Sequence, residues 1–511
     1  MLTSIFEIIG PIMIGPSSSH TAGMARIGKM AYYISGKNPI FISLLLSPMM
    51  RTTYSGHRTD AALFGGAIGF AEDNPRIRNA INIAHERGIK TSVGFLPENK
   101  YPQNSACLII KDRDNDVTKI LGTSIGGGSI VIKSVDDVPL NITPDVYHFL
   151  VWSKEKIEIN SKKNKIQIGK NEREYITCLT FLQYPTLELY QQILQKNNIR
   201  KIRLVEPVLS YGGTCSENKS YHTLEEVKED INKNRTNMAN LSIEYECNRS
   251  GRSREVVVTQ MLNHLMQMKY SVEIGSQGNH MLYGLTSGED GKRLLNAIKG
   301  GRTISGGIIP IAVARAISVM EYNGAMGCIV AAPTAGSSGI MPGSMITIQE
   351  KYNIPDRKIV DALFVAGLIG VVMAHRGVSF SGSVGGCQGE VGVSSAITAA
   401  ALTSLFSDNS DDILHAMAIC LKNILGLVCD PIAGPIEVPC IKRNAIGVAN
   451  AYIAADMALS GIRSYISPDE VIDALIDVEK RLPQELKCAT IGGLASTDKA
   501  HKLRQQLHQD N

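Results

Sequence analysis

Three cysteines stand where the chain breaks between helix-length segments: Cys387 in GSVGGCQGEVG, Cys429 in LVCDPIAG and Cys440 in EVPCIKRN. Glycine or proline punctuates each break. Pro431 pushes Asp430 toward an extended backbone and Pro439 fixes the approach to Cys440. Such loops hold thiolates rigidly while leaving nearby N–H groups free to bond sulfur. Three thiolates so held suit an iron–sulfur cluster with one iron left open. That is a catalytic arrangement more than an electron carrier, in which cysteine closes all four positions. The competing reading is three buried structural cysteines. The spacing matches neither C-x2-C nor a common zinc or ferredoxin pattern, and spacing alone favours that second reading. The remaining seven, Cys107, Cys178, Cys215, Cys247, Cys328, Cys420 and Cys488, fall mostly in strand or helix patterns or in a polar stretch.

A second group is GPSSSHT, Gly15 to Thr21, with Ser17, Ser18, Ser19 and His20 after a Gly-Pro turn. Hydroxyls and exposed N–H groups there suit a small carboxylate, and His20 suits proton transfer near neutral pH. A helix N-cap before AGMARIGKM explains the same residues. SGHRTD supplies a second loop histidine, His57, with Asp60 three residues on as a capping or orienting group. Two glycine-rich strings, SIGGG (Ser124 to Gly128) and APTAGSSGIMPG (Ala332 to Gly343), offer backbone amides to an anion. Neither has the layout of a nucleotide-binding loop. Thr334, Ser337 and Ser338 are candidates for binding a substrate carboxylate, with turn formation as the alternative.

The elements that must carry these residues divide the chain. Residues 1–140 alternate helical patterns (TAGMARIGKMAYYI, AALFGGAIGFA) with strand patterns (IFISLLL, SACLIIKD), and GTSIGGGSIVIKSV reads as a glycine turn feeding a strand. This is an α/β domain. Residues 141–215 form a small α+β segment: a charged run, KEKIEINSKKNKIQIGKNERE, reads as a solvated hairpin, and YITCLTFL, TLELYQQILQKN and IRKIRLVEPV read as strand, helix, strand. Residues 216–245 are polar and read as a linker. From 246 to 511, long Ala-, Gly- and Ser-rich segments read as an all-helical domain with closely approaching helices. Glycine inside a helix costs about 1 kcal/mol relative to alanine, so close packing or a backbone-lined site must offset it.

Length and composition set bounds on function. A chain of 511 residues exceeds one core. With 52 basic and 48 acidic residues, net +4, it has no single-sign field, and nucleic acid is not an expected partner. The apolar start MLTSIFEIIGPIMIG carries Glu7 where a secretion leader would be basic, and Gly10 and Pro11 interrupt it. No run reaches the roughly 18 uncharged apolar residues of a membrane span. A cytoplasmic protein with mostly free thiols is expected.

Taken together and in order, these strings resemble the bacterial iron–sulfur-dependent L-serine dehydratase (L-serine ammonia-lyase) family. GPSSSHTAGMARIG and SIGGG resemble its β portion. GLTSGEDGKRL, NGAMGCIVAAPTAGSSGIMPG, GGCQGEVG, LVCDPIAGPIEVPCIKRNAIG and GGLA resemble its α portion. The resemblance implies a single-chain fusion: an α/β substrate-binding-like domain, a middle segment where family members often carry an ACT regulatory domain, and an all-α catalytic domain. It assigns a [4Fe-4S] cluster to Cys387, Cys429 and Cys440, and Lewis-acid dehydration of L-serine to pyruvate and ammonia. His20 and His57 become the acid–base candidates, which would require the N-terminal domain to close over the cluster. A homodimer is the expected assembly, with L-serine as small-molecule partner. The rivals are a lyase for another hydroxy or thiol amino acid, a pyridoxal-phosphate enzyme using Lys422 or Lys442, and a non-catalytic amino-acid-binding regulator.

Overall fold

Alternating apolar residues in Pro39–Leu46 and Ser105–Asp112 make two adjacent strands of a six-stranded sheet. The computed structural model describes residues 3–98, 101–102, 104–157, 165–195, 198–209, 219–433, 435–488 and 491–509. It divides into two units, Met1–Ser18 with Cys215–Asn511, and Ser19–Thr214. Cys215, the first residues of the expected linker and part of the charged run lie outside the described residues.

In the Ser19–Thr214 unit the sheet order is Lys90–Phe95, Pro39–Leu46, Ser105–Asp112, Val117–Gly126, Ser129–Val135, Val138–Ile142. Only the first pair is parallel; the rest are antiparallel. Helices Gly23–Ser35 and Thr59–Ala67 approach closely: a Cβ on Gly28 would stand 2.4 Å from the Leu63 carbonyl oxygen. The expected glycine turn joins Val117–Gly126 to Ser129–Val135, with Gly126, Gly127 and Gly128 all at positive φ.

A second, four-stranded antiparallel sheet has the order Ile199–Val205, Tyr147–Ser153, Tyr175–Phe181, Lys165–Lys170. Numbered along the chain, its strands run 4-1-3-2, with helix Leu187–Leu194 between the third and fourth. Phe149, Val151, Leu179, Phe181 and Ile193 form its core. The charged run does form one arm of a hairpin, Lys165–Lys170 against Tyr175–Phe181, closed by the Asn171 N–H on the Glu174 carbonyl at 3.1 Å.

The other unit is helical. Val393–Ser404 is buried along nearly its whole length among Asp356–His375, Ile340–Tyr352, Ser410–Lys422 and Cys440–Leu459. It is not all-helical as expected: Cys328–Val330 is a short strand, paired antiparallel with Ile12–Ile14 from the chain's start. The stretch read as a linker carries helices Leu224–Asn234 and Met238–Ser250, the first opened by a reciprocal capping box between Thr223 and Glu226. Asp356–His375 is long and apolar enough to cross a membrane, but 78% of its apolar window is buried inside the fold.

Candidate functional site

Three breaks between helices of the helical unit carry the cysteines to one place. Cys387 follows Gly386, held at φ 73°, and opens a π-helical turn, Gln388–Gly392, that runs into Val393–Ser404. The Gln388 N–H donates to the Leu427 carbonyl at 2.9 Å, and the Gly426 N–H donates to Gln388 Oε1 at 2.8 Å. Gln388 therefore ties the first cysteine segment to the second. Cys429 is fixed on both backbone sides by the tail: its N–H donates to the Leu486 carbonyl at 2.8 Å, and its carbonyl accepts from the Cys488 N–H at 2.6 Å. Cys440 begins helix Cys440–Leu459, with Pro439 at the N-cap.

The sulfurs of Cys387 and Cys429 and a carboxylate oxygen of Glu390 lie within 4.8 Å of one another. Contact with Cys387 and Cys488, together with burial, pushes the Cys429 thiol well above its ordinary value. Burial and the neighbouring Cys387, Cys488 and Glu390 push Cys440 the same way. Thiols so crowded resist ionising together unless a cation joins them. Room has been kept at the centre: a Cβ on Gly382 would stand 2.6 Å from Glu390 Oε2 and 2.9 Å from Cys429 Sγ. Soft thiolates on rigid breaks are the donor set that an iron–sulfur cluster requires. The residues present fit such a group.

Glu390 was not singled out from the sequence, although it lies one turn past Cys387 in the same motif. Burial pushes its carboxyl up to about 7, against donors from the Thr334 side chain and the Gly382 N–H. Thr334 thereby brings the second serine-threonine string beside the thiols. Asn444 adds a link, donating from Nδ2 to the Gly336 and Cys440 carbonyls, both at 3.0 Å, and accepting at Oδ1 from the Gly339 N–H at 3.2 Å. Ser338 Oγ donates to the Ala335 carbonyl at 2.8 Å, while Ser337 Oγ lies 3.1 Å from Thr334 Oγ1 and 3.3 Å from the Ala332 carbonyl. Their hydroxyls build the turn as well as line it.

The GPSSSHT string is folded into a tight π-helical turn, Ser18–Ala22, with Ser17, Ser18 and Ser19 buried. The N-cap expectation fails: helix Gly23–Ser35 starts without a side-chain cap, and Thr21 Oγ1 donates instead to the His57 carbonyl at 2.8 Å. His20 and His57 stack with ring centroids 4.7 Å apart. Burial holds His20 down to about 4, opposed by a bond to the Asn104 side chain. Burial and the neighbouring His20 hold His57 well below its ordinary value. Both rings are therefore neutral at pH 7, and His57 Nδ1 is buried with no hydrogen-bond partner. Asp60 does not orient His57; it accepts from the Ala61 N–H at 2.8 Å at the start of its own helix.

The lysines a pyridoxal-phosphate enzyme would need are otherwise engaged. Lys422 Nζ donates to the Ser464 carbonyl, and Lys442 pairs with Asp290 at 3.1 Å on the surface.

Comparison with known proteins bears on this geometry. The family model described as serine dehydratase alpha chain matches residues 222–495. A probable L-serine dehydratase alpha chain of Bacillus subtilis is 43% identical over 270 residues, 53% of this chain and 89% of that protein. The L-serine dehydratase alpha chain of Peptoniphilus asaccharolyticus is 43% identical over 217 residues, 42% of this chain and 74% of that protein. An L-serine dehydratase of Helicobacter pylori is 25% identical over 508 residues, 97% of this chain and 98% of that protein. All four cysteines at the thiol site fall inside the matched region, and the chain belongs to the serine dehydratase alpha chain family.

Proposed function

We infer that this chain is an L-serine ammonia-lyase, joining in one polypeptide the portions that two-chain relatives carry apart. Relatives named L-serine dehydratase support the activity, one of them along nearly the full length. The observation that carries the mechanistic reading is the convergence of Cys387 and Cys429 beside Glu390, with the Cys440 thiol pushed up by burial and by its neighbours Cys387, Cys488 and Glu390. A [4Fe-4S] cluster bound by Cys387, Cys429 and Cys440 would supply a Lewis acid that polarises the serine hydroxyl.

The chain's own groups have the remaining tasks. Thr334 and the amides of the Ala335–Ser337 turn suit a substrate carboxylate, beside Ser337 and Ser338. Glu390, whose carboxylate lies beside Cys387 and Cys429 and is pushed up by burial, would be placed to hold a proton at that carboxylate. Ser17, Ser18 and Ser19 belong to the proposed substrate-binding set. His20 and His57, neutral and therefore able to accept a proton, are the proposed acid–base pair. Loss of water leaves an enamine that tautomerises and hydrolyses to pyruvate and ammonia.

The reading includes a homo-oligomer in the cytoplasm and an ACT-like regulatory segment over 141–215, which the 4-1-3-2 strand order supports. Anaerobic reconstitution with iron and sulfide, followed by pyruvate or 2-oxoacid release from L-serine, L-threonine and L-cysteine, tests it. L-serine is expected to be turned over fastest. An intact cluster with no release from L-serine would move the assignment to another substrate.

A further inference from the structure

Arg443 lies one turn into helix Cys440–Leu459, and its guanidinium reaches back across the thiol site. Nη1 donates to the Val428 carbonyl at 2.6 Å and to Cys387 Sγ at 3.6 Å, and Nη2 donates to Asp430 Oδ1 at 2.6 Å. The other Asp430 oxygen accepts from the Leu494 N–H at 2.8 Å. Gly493 permits this approach: it sits at φ 59°, and a Cβ there would stand 2.4 Å from Asp430 Oδ2. The Arg443 side chain is 15% exposed and that of Asp430 4%. One buried ion pair thus joins the segment of Cys387, the segment of Cys429, the helix of Cys440 and the C-terminal GGLA string.

We propose that Arg443 is the positioning residue and counter-cation of the thiol site, fixing the sulfur of Cys387 and offsetting the negative charge that bound thiolates and a cluster bring. This rests on the cluster reading above. The geometry explains why arginine stands here. One nitrogen divides between a carbonyl and a sulfur while the other binds a carboxylate, a fork that a lysine's single ammonium cannot reproduce. The neighbouring Lys442 does not share the task, because it turns outward to Asp290. A hydrogen bond and a positive charge at a ligating sulfur stabilise the more reduced cluster, so removing them lowers its reduction potential. Asp430 holds the guanidinium in place, so that the cation at the thiol site is not buried without a partner.

The test loads wild type, Arg443→Lys, Arg443→Met and Asp430→Asn anaerobically with iron and sulfide. Iron and sulfide per chain, the reduction potential, and the rate of iron loss to a chelator are then read. Arg443→Met is expected to hold iron roughly 10- to 100-fold more weakly than wild type, the range typical of removing a partner of a metal ligand, to lose it faster to the chelator and to show a lower potential. Arg443→Lys should restore part of the potential while still losing iron faster, and Asp430→Asn, which loosens the hold on the guanidinium, should also lose iron faster than wild type without the fall in potential. If Arg443→Met lacks a cooperative unfolding transition, Arg443→Lys decides by the same two readouts. Loaded variants with wild-type potential and wild-type iron loss would overturn the role of Arg443 and leave the cluster reading standing. A wild-type chain that takes up no iron and sulfide would overturn both.

Discussion

Cys429 occupies the middle of the thiol site: its thiol contacts both Cys387 and Cys488, and its backbone is bonded on both sides by the tail. Cys429→Ser keeps the size and the backbone bonds but replaces a soft thiolate with a hydroxyl that ionises poorly. Iron and sulfide uptake should fall to background, with pyruvate release lost and the thermal midpoint of the iron-free protein little changed; a variant with full lyase activity would remove the cluster assignment. The histidines make a different prediction, one about pH. His20 titrates near 4 instead of 6.5, and His264, buried against Phe6, does the same. His57 is shifted in that direction as well. Between about pH 6.5 and 4 the unfolded chain binds more protons at these sites than the native one, so stability is full above that window and falls as pH falls through it. His57→Gln, which has no proton to take up, should flatten the acid limb of a plot of unfolding midpoint against pH. An unchanged limb would mean that the ring is not neutral in the fold.

At the scale of elements, the string GLTSGEDG explains itself through two buried carboxylates on other segments. Glu437, three residues before Cys440, accepts the N–H groups of Tyr283 at 2.5 Å and of Leu285 and Thr286 at 2.9 Å. Glu321 accepts those of Asp290 at 2.8 Å and Gly291 at 3.2 Å. The loop is thereby seated against the approach to Cys440. Glu437→Gln would turn an amide NH2 toward backbone donors and should cost about 1–3 kcal/mol, visible as a lower unfolding midpoint together with weaker cluster retention. Periodicity made much of this legible in advance: Gly23–Ser35, Pro39–Leu46, Ser105–Asp112 and the strand–helix–strand run from Tyr175 to Val205 all lie where the pattern puts them. Two kinds of feature were not legible. Leu224–Asn234 looked like a linker because its one buried stripe, Leu224, Val227 and Ile231, is narrow within a charged segment. Asp430 meets Arg443 thirteen residues on, Asn444 reaches the Gly336 carbonyl 108 residues back and Glu390 takes a bond from the Thr334 side chain, and no local spacing encodes that. The cysteines themselves were legible only through the resemblance, since their spacing follows no common metal pattern.

At the scale of the molecule, the first eighteen residues raise a question of ownership. By sequence they run directly into the α/β portion, yet they cluster with the helical unit that begins some two hundred residues later. The physical reason is a set of contacts of every kind. Ile5, Phe6, Ile8 and Ile9 are each 0–1% exposed. Ile8 lies so close to helix Asp356–His375 that a Cβ on Gly370 would stand 2.2 Å from its Cγ2. Glu246 accepts from the Ser4 hydroxyl at 3.0 Å and from the Ile5 N–H at 2.9 Å, and Ile12–Ile14 supplies the partner strand of Cys328–Val330. Four fully buried apolar side chains at about 2 kcal/mol each are comparable with the roughly 5–15 kcal/mol by which a whole domain is stable. A polypeptide of residues 219–511 should therefore unfold at a much lower temperature than the intact chain, or without a cooperative transition. Joining residues 1–18 to its N-terminus through a flexible linker should restore the transition. Circular dichroism on both polypeptides decides it: equal midpoints would show that the N-terminal segment rests on a helical unit already stable without it, while recovery on adding eighteen residues would show that the fused gene order keeps this unit folded.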